Sequence, residues 1–305
     1  MRNIFIRELT KRAVIDPRIV LITGDLGYGV LDDFRNSCPI QFLNAGIAEQ
    51  SMMSLAGGFS TLGFRPFVYS IANFPTFRAL EQIRNDVSYM NHPVTIVSVG
   101  AGLSYGAHGY THHAVEDLAI LHALPNLDIY SPSTESEVVW VLNEILTKNN
   151  PAYLRLGVLE PELEGVLSIR SSTSFFDIDI NEYDGVICWT GSMAKLAFDA
   201  RDILRNQGRN PLLISMPLLT TECFLKLFEI IQDIPLLTLE EHVLVGGFGS
   251  MVLENASDAG RSFPIKRIGI SAETNNQIGS RDYLLNFSGI SSIRIAGTFE
   301  SLLNS

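Results

Sequence analysis

The sequence predicts an α/β protein made of two consecutive doubly wound domains, and three observations carry that expectation. The chain has 305 residues, about twice the length of an ordinary compact domain of roughly 100 to 200 residues. Short apolar runs alternate along it with stretches of helical spacing, the order that builds parallel sheets flanked by helices. Several runs are nearly continuous in apolar and small residues, as in Val94-Thr95-Ile96-Val97-Ser98-Val99, which suits strands covered on both faces.

In chain order, strands are expected at 19–23, 66–69, 94–99, 127–130 and 152–156, with helices at 48–62, 77–89, 114–121 and 135–147. Thr134 and Glu137 open the last helix as a capping box, each side chain serving a backbone amide that the helix leaves unpaired. After Gly157 the alternation lapses into Glu160-Pro161-Glu162-Leu163-Glu164-Gly165 and the polar run Ser171-Ser172-Thr173-Ser174. Residues 161–183 therefore read as a linker between domains at 1–160 and 184–305. In the second domain, strands at 186–190, 211–215, 236–239 and 265–269 alternate with helices at 194–206, 221–231 and 248–259.

Composition narrows the function classes. Hydrophobic residues make up 46% and charged residues 18%, with a mean hydropathy of +0.19, so the chain has ample material for two cores and is not a disordered type. Acidic residues outnumber basic ones 33 to 22, for a net charge of -11. That balance opposes a nucleic-acid backbone or an anionic membrane surface, both of which call for Lys and Arg. The low charge fraction favours a surface partly hidden against another chain. Cys38, Cys188 and Cys223 are scattered, with no Cys-x-x-Cys pair, which argues against a disulfide framework or a thiolate zinc site and for a reducing, cytoplasmic setting. The first residues lack a secretory apolar run, and no window reaches 18 uncharged apolar residues, so secretion and membrane spanning are not expected.

In open α/β sheets ligands bind beyond the carboxyl ends of the strands, and four segments there carry unusual chemistry. Thr23-Gly24-Asp25-Leu26-Gly27-Tyr28-Gly29 has the spacing G-x-x-G-x-G, not the dinucleotide fingerprint G-x-G-x-x-G, and suits a turn with positive φ. Asn44-Ala45-Gly46-Ile47-Ala48-Glu49-Gln50 places one carboxylate at the entry to an apolar helix. Glu49 either complements the helix dipole or, buried, serves a ligand nitrogen. Asn73-Phe74-Pro75-Thr76-Phe77 puts two aromatics three apart, which fits either core packing or a face for a heterocycle. Residues 100–113 carry four glycines with His108, His112 and His113. Glycine at that density excludes a helical zinc face and suits a loop delivering imidazoles for proton transfer and hydroxyl recognition.

In this order the four segments resemble the pyrimidine-binding half of transketolase and of 1-deoxyxylulose-5-phosphate synthase. Gly106-Ala107-His108-Gly109-Tyr110-Thr111-His112-His113, followed by Glu116-Asp117-Leu118, is similar to the family loop G-x-D-G-x-T-H-Q, and 240–250, Glu240-Glu241-His242 through Gly249-Ser250, resembles the family's C-terminal domain signature. The resemblance implies thiamine diphosphate as cofactor. It makes Glu49 the acid that hydrogen-bonds the pyrimidine nitrogen and promotes the reactive tautomer, Phe74 and Phe77 the aromatic pocket, and Asp25 a cofactor-side aspartate. It implies that His112 contacts substrate oxygens and assists proton transfer, and that Arg155 and Arg2 hold a substrate phosphate. The sequence departs from the family at His108, which replaces the loop aspartate, at His113, which replaces a glutamine, at Leu80, where an aromatic is common, and at Gly29, where a serine is expected. These changes fall on substrate recognition, so His108 and His113 are counted with His112 as substrate-facing.

The family also holds the diphosphate through Mg2+ with a Gly-Asp-Gly motif and a following Asn, and Gly24-Asp25-Leu26 and Asp184-Gly185 fail that pattern. The expectation is one subunit of a split transketolase in an α2β2 heterotetramer, the metal held by an N-terminal partner subunit and none by this chain, acting on a sugar phosphate or a modified sugar. The competing expectations are a 1-deoxyxylulose-5-phosphate synthase-like enzyme, the beta subunit of a 2-oxo acid dehydrogenase, a non-catalytic paralogue and, last, a nucleotide-binding dehydrogenase.

Overall fold

The computed structural model describes residues 1–170 and 179–304, so the run Ser171–Ser174 lies outside the described residues. Two parallel sheets, each flanked by helices, form the two expected domains.

The first domain contains β1 (Ile19–Thr23), β2 (Phe42–Asn44), β3 (Arg65–Ile71), β4 (Thr95–Val99), β5 (Asp128–Tyr130) and β6 (Ala152–Leu156). Its helices are α1 (Arg2–Ala13), α2 (Asp32–Ser37), α3 (Glu49–Thr61), α4 (Asn73–Arg78), α5 (Leu80–Gln82), α6 (Asp117–His122) and α7 (Glu135–Thr147). The strand order is β2-β1-β3-β4-β6-β5, and every pairing is parallel. All residues of β1, β4 and β6 are buried, the reason their sequences do not alternate. Because the strands are parallel, the segments that follow β1, β2, β3 and β4 emerge at one edge. Asp25, Glu49, the Phe74 and Phe77 pair and the histidine loop are thereby gathered from distant parts of the chain onto a single rim.

The second domain contains β7 (Val166–Ser168), β8 (Gly185–Trp189), β9 (Pro211–Ser215), β10 (Leu236–Val243) and β11 (Ile265–Ile270), with α8 (Ala194–Asn206), α9 (Thr221–Ile231), α10 (Phe248–Asp258), α11 (Arg281–Phe287) and α12 (Ser292–Leu303). Its order is β11-β10-β8-β9-β7, all parallel. The expected linker thus supplies β7, whose three residues are too few to show a period.

Local chemistry explains the start of α7 and the start of α4. The Thr134 hydroxyl accepts from the Glu137 amide at 3.4 Å, while the Glu137 carboxylate accepts from the Ser133 amide at 2.7 Å, one residue before the position a capping box predicts. Glu137 is further held by the Ser168 hydroxyl of β7 at 2.6 Å, so it caps a helix of one domain with an edge of the other. Helix α4 begins at Asn73 and not at 77, because Pro75 sits in its first turn, where the missing N–H has no helical partner to lose.

Candidate active site

Glu49 is the first residue of α3 and is only 6% exposed, although helix dipole complementarity alone would be satisfied at the surface. Its Oε1 receives Arg78 Nη1 at 2.8 Å. The same guanidinium lies over the Phe74 ring, 4.0 Å from its centroid, so charge pairing and a cation–π contact fix one side chain between the carboxylate and the aromatic. Phe74, Phe77, Arg78, Tyr110, Thr111 and Glu116 line an open cleft of about 330 Å³. Phe77 is 44% exposed there, a large aromatic face left to solvent.

The histidine loop closes the other wall. Asn73, at the start of α4, donates from Nδ2 to the carbonyls of His113 at 2.5 Å and Thr111 at 3.3 Å, tying the aromatic segment to the loop. The His112 ring stands edge-on to Phe74 at 5.3 Å between centroids, and the His108 ring lies 5.0 Å from His112. Thr111 Oγ1 is 3.0 Å from His112 Nδ1. Burial, followed by the charges of His108, His113 and Arg78, lowers the His112 pKa, which keeps a neutral imidazole able both to donate and to accept near pH 7. Glu116 lies half-buried in the cleft wall with Tyr110 Oη donating to it at 3.1 Å, and burial raises its pKa. Asp25 is exposed at the end of β1, with φ of 57°. It accepts from Tyr28 Oη at 2.7 Å and Asn44 Nδ2 at 2.9 Å, which lower its pKa and tie the β1 and β2 rims together.

Two residues expected to contact substrate are buried. Arg155 is 3% exposed. Its Nε donates to Asp117 at 2.8 Å and its Nη2 donates to the carbonyls of Ala114 at 2.8 Å and Glu241 at 3.0 Å. Its guanidinium lies in the domain junction, bonded to groups of both domains. His113 is fully buried, its Nε2 directed at the Gly106 carbonyl at 3.4 Å, and burial lowers its pKa. It supports the loop from within. Arg2, by contrast, is exposed and borders a second recess of about 240 Å³ with Tyr105, at the ends of β4 and β6.

Arg78 and Glu116 carry no role in the sequence reading. Arg78 follows Phe74 by four residues, neighbours on a helix only once that helix starts at Asn73 rather than at 77, and its pairing with Glu49 spans 29 residues. Glu116 was visible only as a neighbour of Asp117.

The parallel-strand rims thus bring an aromatic face, two histidine rings and, through Arg78, a buried acid to one cleft. Residues 1–160 match the family model for the transketolase pyrimidine-binding domain, and the chain belongs to that family. It is 31% identical over 283 residues to one of the subunits of apulose-4-phosphate transketolase from Phocaeicola vulgatus, covering 89% of this chain and 88% of that protein. It is 34% identical over 280 residues to 1-deoxy-D-xylulose-5-phosphate synthase of Microcystis aeruginosa, covering 88% of this chain and 43% of the synthase, so it spans less than half the length of that relative. A solved structure described as a split gene transketolase, inactive beta4 tetramer, superposes with a TM-score of 0.81 at 27% identity, covering 99% of this chain and 97% of that one. Among the described residues no helix is long and apolar enough to cross a membrane.

Proposed function

We propose that this chain is the pyrimidine-binding subunit of a two-chain, thiamine diphosphate-dependent transketolase that moves a two-carbon ketol unit from a ketose or ketose phosphate to an aldose or related acceptor. The observation that carries this reading is the buried Glu49 carboxylate, joined through Arg78 to the cleft that Phe74 and Phe77 line. An acid in that place fits an aminopyrimidine nitrogen, and the aromatic faces fit its ring. The cofactor, when bound, supplies the carbon nucleophile. Glu49 hydrogen-bonds and orients the pyrimidine, and Phe74 and Phe77 exclude water around it. His112, with Nδ1 held by Thr111, turns Nε2 toward substrate oxygens to hold or pass a proton. His108 beside it contacts a neighbouring hydroxyl, Arg2 anchors the far end of the sugar, and Asp25 stands on the cofactor side. The diphosphate and its Mg2+ belong to a partner chain carrying the Gly-Asp-Gly motif, in an α2β2 assembly.

Reconstitution with that partner tests the reading. Ketol transfer from a ketose phosphate is expected, and Glu49→Gln should lower kcat by about 10²–10⁴-fold while the two chains still co-elute. Unchanged turnover in Glu49→Gln would remove the catalytic assignment. The likeness to 1-deoxy-D-xylulose-5-phosphate synthase favours one other reading, which the same assay separates: condensation of pyruvate with release of CO2, in place of ketol transfer, would install it.

A further inference from the structure

The signature Glu240-Glu241-His242 belongs to the second domain and takes no part in the cleft chemistry, yet its middle residue ends beneath the histidine loop. Glu241 lies on β10 and is 2% exposed. Its Oε1 accepts from the Leu103 amide, at the base of the loop, at 2.8 Å. Arg281, at the start of α11, grips the same carboxylate with Nε at 3.0 Å from both oxygens and Nη2 at 2.7 Å from Oε2, and it also donates to the Ser192 carbonyl. A carboxylate held by a planar fork has its direction fixed.

Gly102 has φ of +64°, and a Cβ there would fall 2.6 Å from the Glu241 carboxyl carbon, so the backbone approaches the acid as closely as glycine allows. Gly102 and Ala114 close the loop base with reciprocal amide-to-carbonyl bonds of 3.0 and 2.9 Å. Arg155 joins Ala114 to the Glu241 backbone, and the Val243 amide donates to Val115 at 2.9 Å. The loop's far side meets the second domain too: the Gly279 amide donates to Gly106 at 3.3 Å, and Ile278 packs over Gly109. Between these supports the loop contains only two short 3-10 turns, too little regular structure to hold two imidazoles in place unaided.

We infer that Glu241, locked by Arg281, is a positioning residue that sets where His108 and His112 stand in the cleft, making the second domain a working part of the active site. The inference rests on the reading that those imidazoles face substrate.

Its test uses Glu241→Gln in the full chain and in the reconstituted complex. A second variant, Glu241→Gln with Arg281→Met, removes both charges so that neither is stranded. Hydrogen exchange at the amides of 102–114 is expected to quicken at least about tenfold with the rest of the chain unchanged. In the complex kcat should fall about 10 to 100-fold, KM for the acceptor should rise, the histidine-dependent limb of the pH profile should move, and thiamine diphosphate affinity should hold. Arg281→Lys, which keeps the charge and loses the fork, should fall between. Unchanged exchange in the loop overturns the inference, as does unchanged kcat in a complex that Glu49→Gln silences. If the wild-type complex transfers no ketol unit, the functional reading falls, and the exchange experiment alone decides whether Glu241 positions the loop.

Discussion

At the scale of the residue, the Glu49 and Arg78 pair decides how a carboxylate comes to be buried beside an aromatic face. Taking Glu49 out of water costs free energy that a single charged donor at 2.8 Å largely offsets. Arg78 remains 47% exposed in its side chain, so its own desolvation is small, and it gains the face of Phe74 as well. Removing it leaves a carboxylate with 6% exposure and, among the described residues, no ion-pair partner. Arg78→Met, which keeps an apolar stem over Phe74, is therefore expected to lower stability by about 1–2 kcal/mol in urea unfolding. Arg78→Met in a Glu49→Gln background should cost about 1 kcal/mol less than in the wild type, the signature of a direct pair. Equal costs in the two backgrounds would show that the contact contributes nothing.

At the scale of the element, α1 buries Phe5, Ile6, Leu9 and Ala13 in the core and carries a cluster of charge beside that stripe. Glu8 sits among Lys11 at 2.6 Å, Arg12 at 3.0 Å and Arg7 at 3.2 Å, while Arg7 reaches Glu135 and Arg12 reaches Asn143 on α7. Those partners, Lys11 first, hold the Glu8 carboxyl down at about 2. A carboxyl whose folded pKa lies below its unfolded one stabilises the fold above the ordinary range near 4.5 and loses that contribution as pH falls toward 2. Stability should drop on acidification through that window, and Glu8→Gln should flatten the drop while lowering stability at pH 7; an acid limb of unchanged slope would reject the assignment. The i+3 and i+4 spacing of Lys11 and Arg12 was legible in the sequence, but α1 itself was not, because charge masks its apolar face. β2 and β7, at three residues each, and α11 and α12 also escaped the reading. The longer buried strands and α3, α7, α8, α9 and α10 were legible to within a few residues because their patterns extend over several turns or an unbroken apolar run. Of the site, the residue types and their rim positions were legible. Which way each side chain turns was not, since that depends on pairings across 29 residues for Glu49 and Arg78 and 138 for Leu103 and Glu241.

At the scale of the whole molecule, Arg155 shows why direction matters. It lies on β6 and joins Asp117 and Ala114 of one domain to Glu241 of the other, in a junction that also holds Tyr153 Oη donating to Asp117 at 2.6 Å and His242 Nε2 at 3.9 Å from the same residue. Burial pushes His242 down to about 4, so it stays neutral, and Arg155 is the full positive charge bonded to the fully buried Asp117. Arg155→Met would strand that carboxylate and is expected to cost about 3–5 kcal/mol, read as a shifted midpoint in urea unfolding. Arg155→Met with Asp117→Leu removes both charges and should recover part of the loss, because apolar groups of similar size often replace a buried pair at little cost. An arginine that held a substrate phosphate would behave in the opposite way. Its loss would leave the unfolding midpoint in place and raise KM for phosphorylated substrates alone, and that pattern would return Arg155 to the substrate side of the molecule.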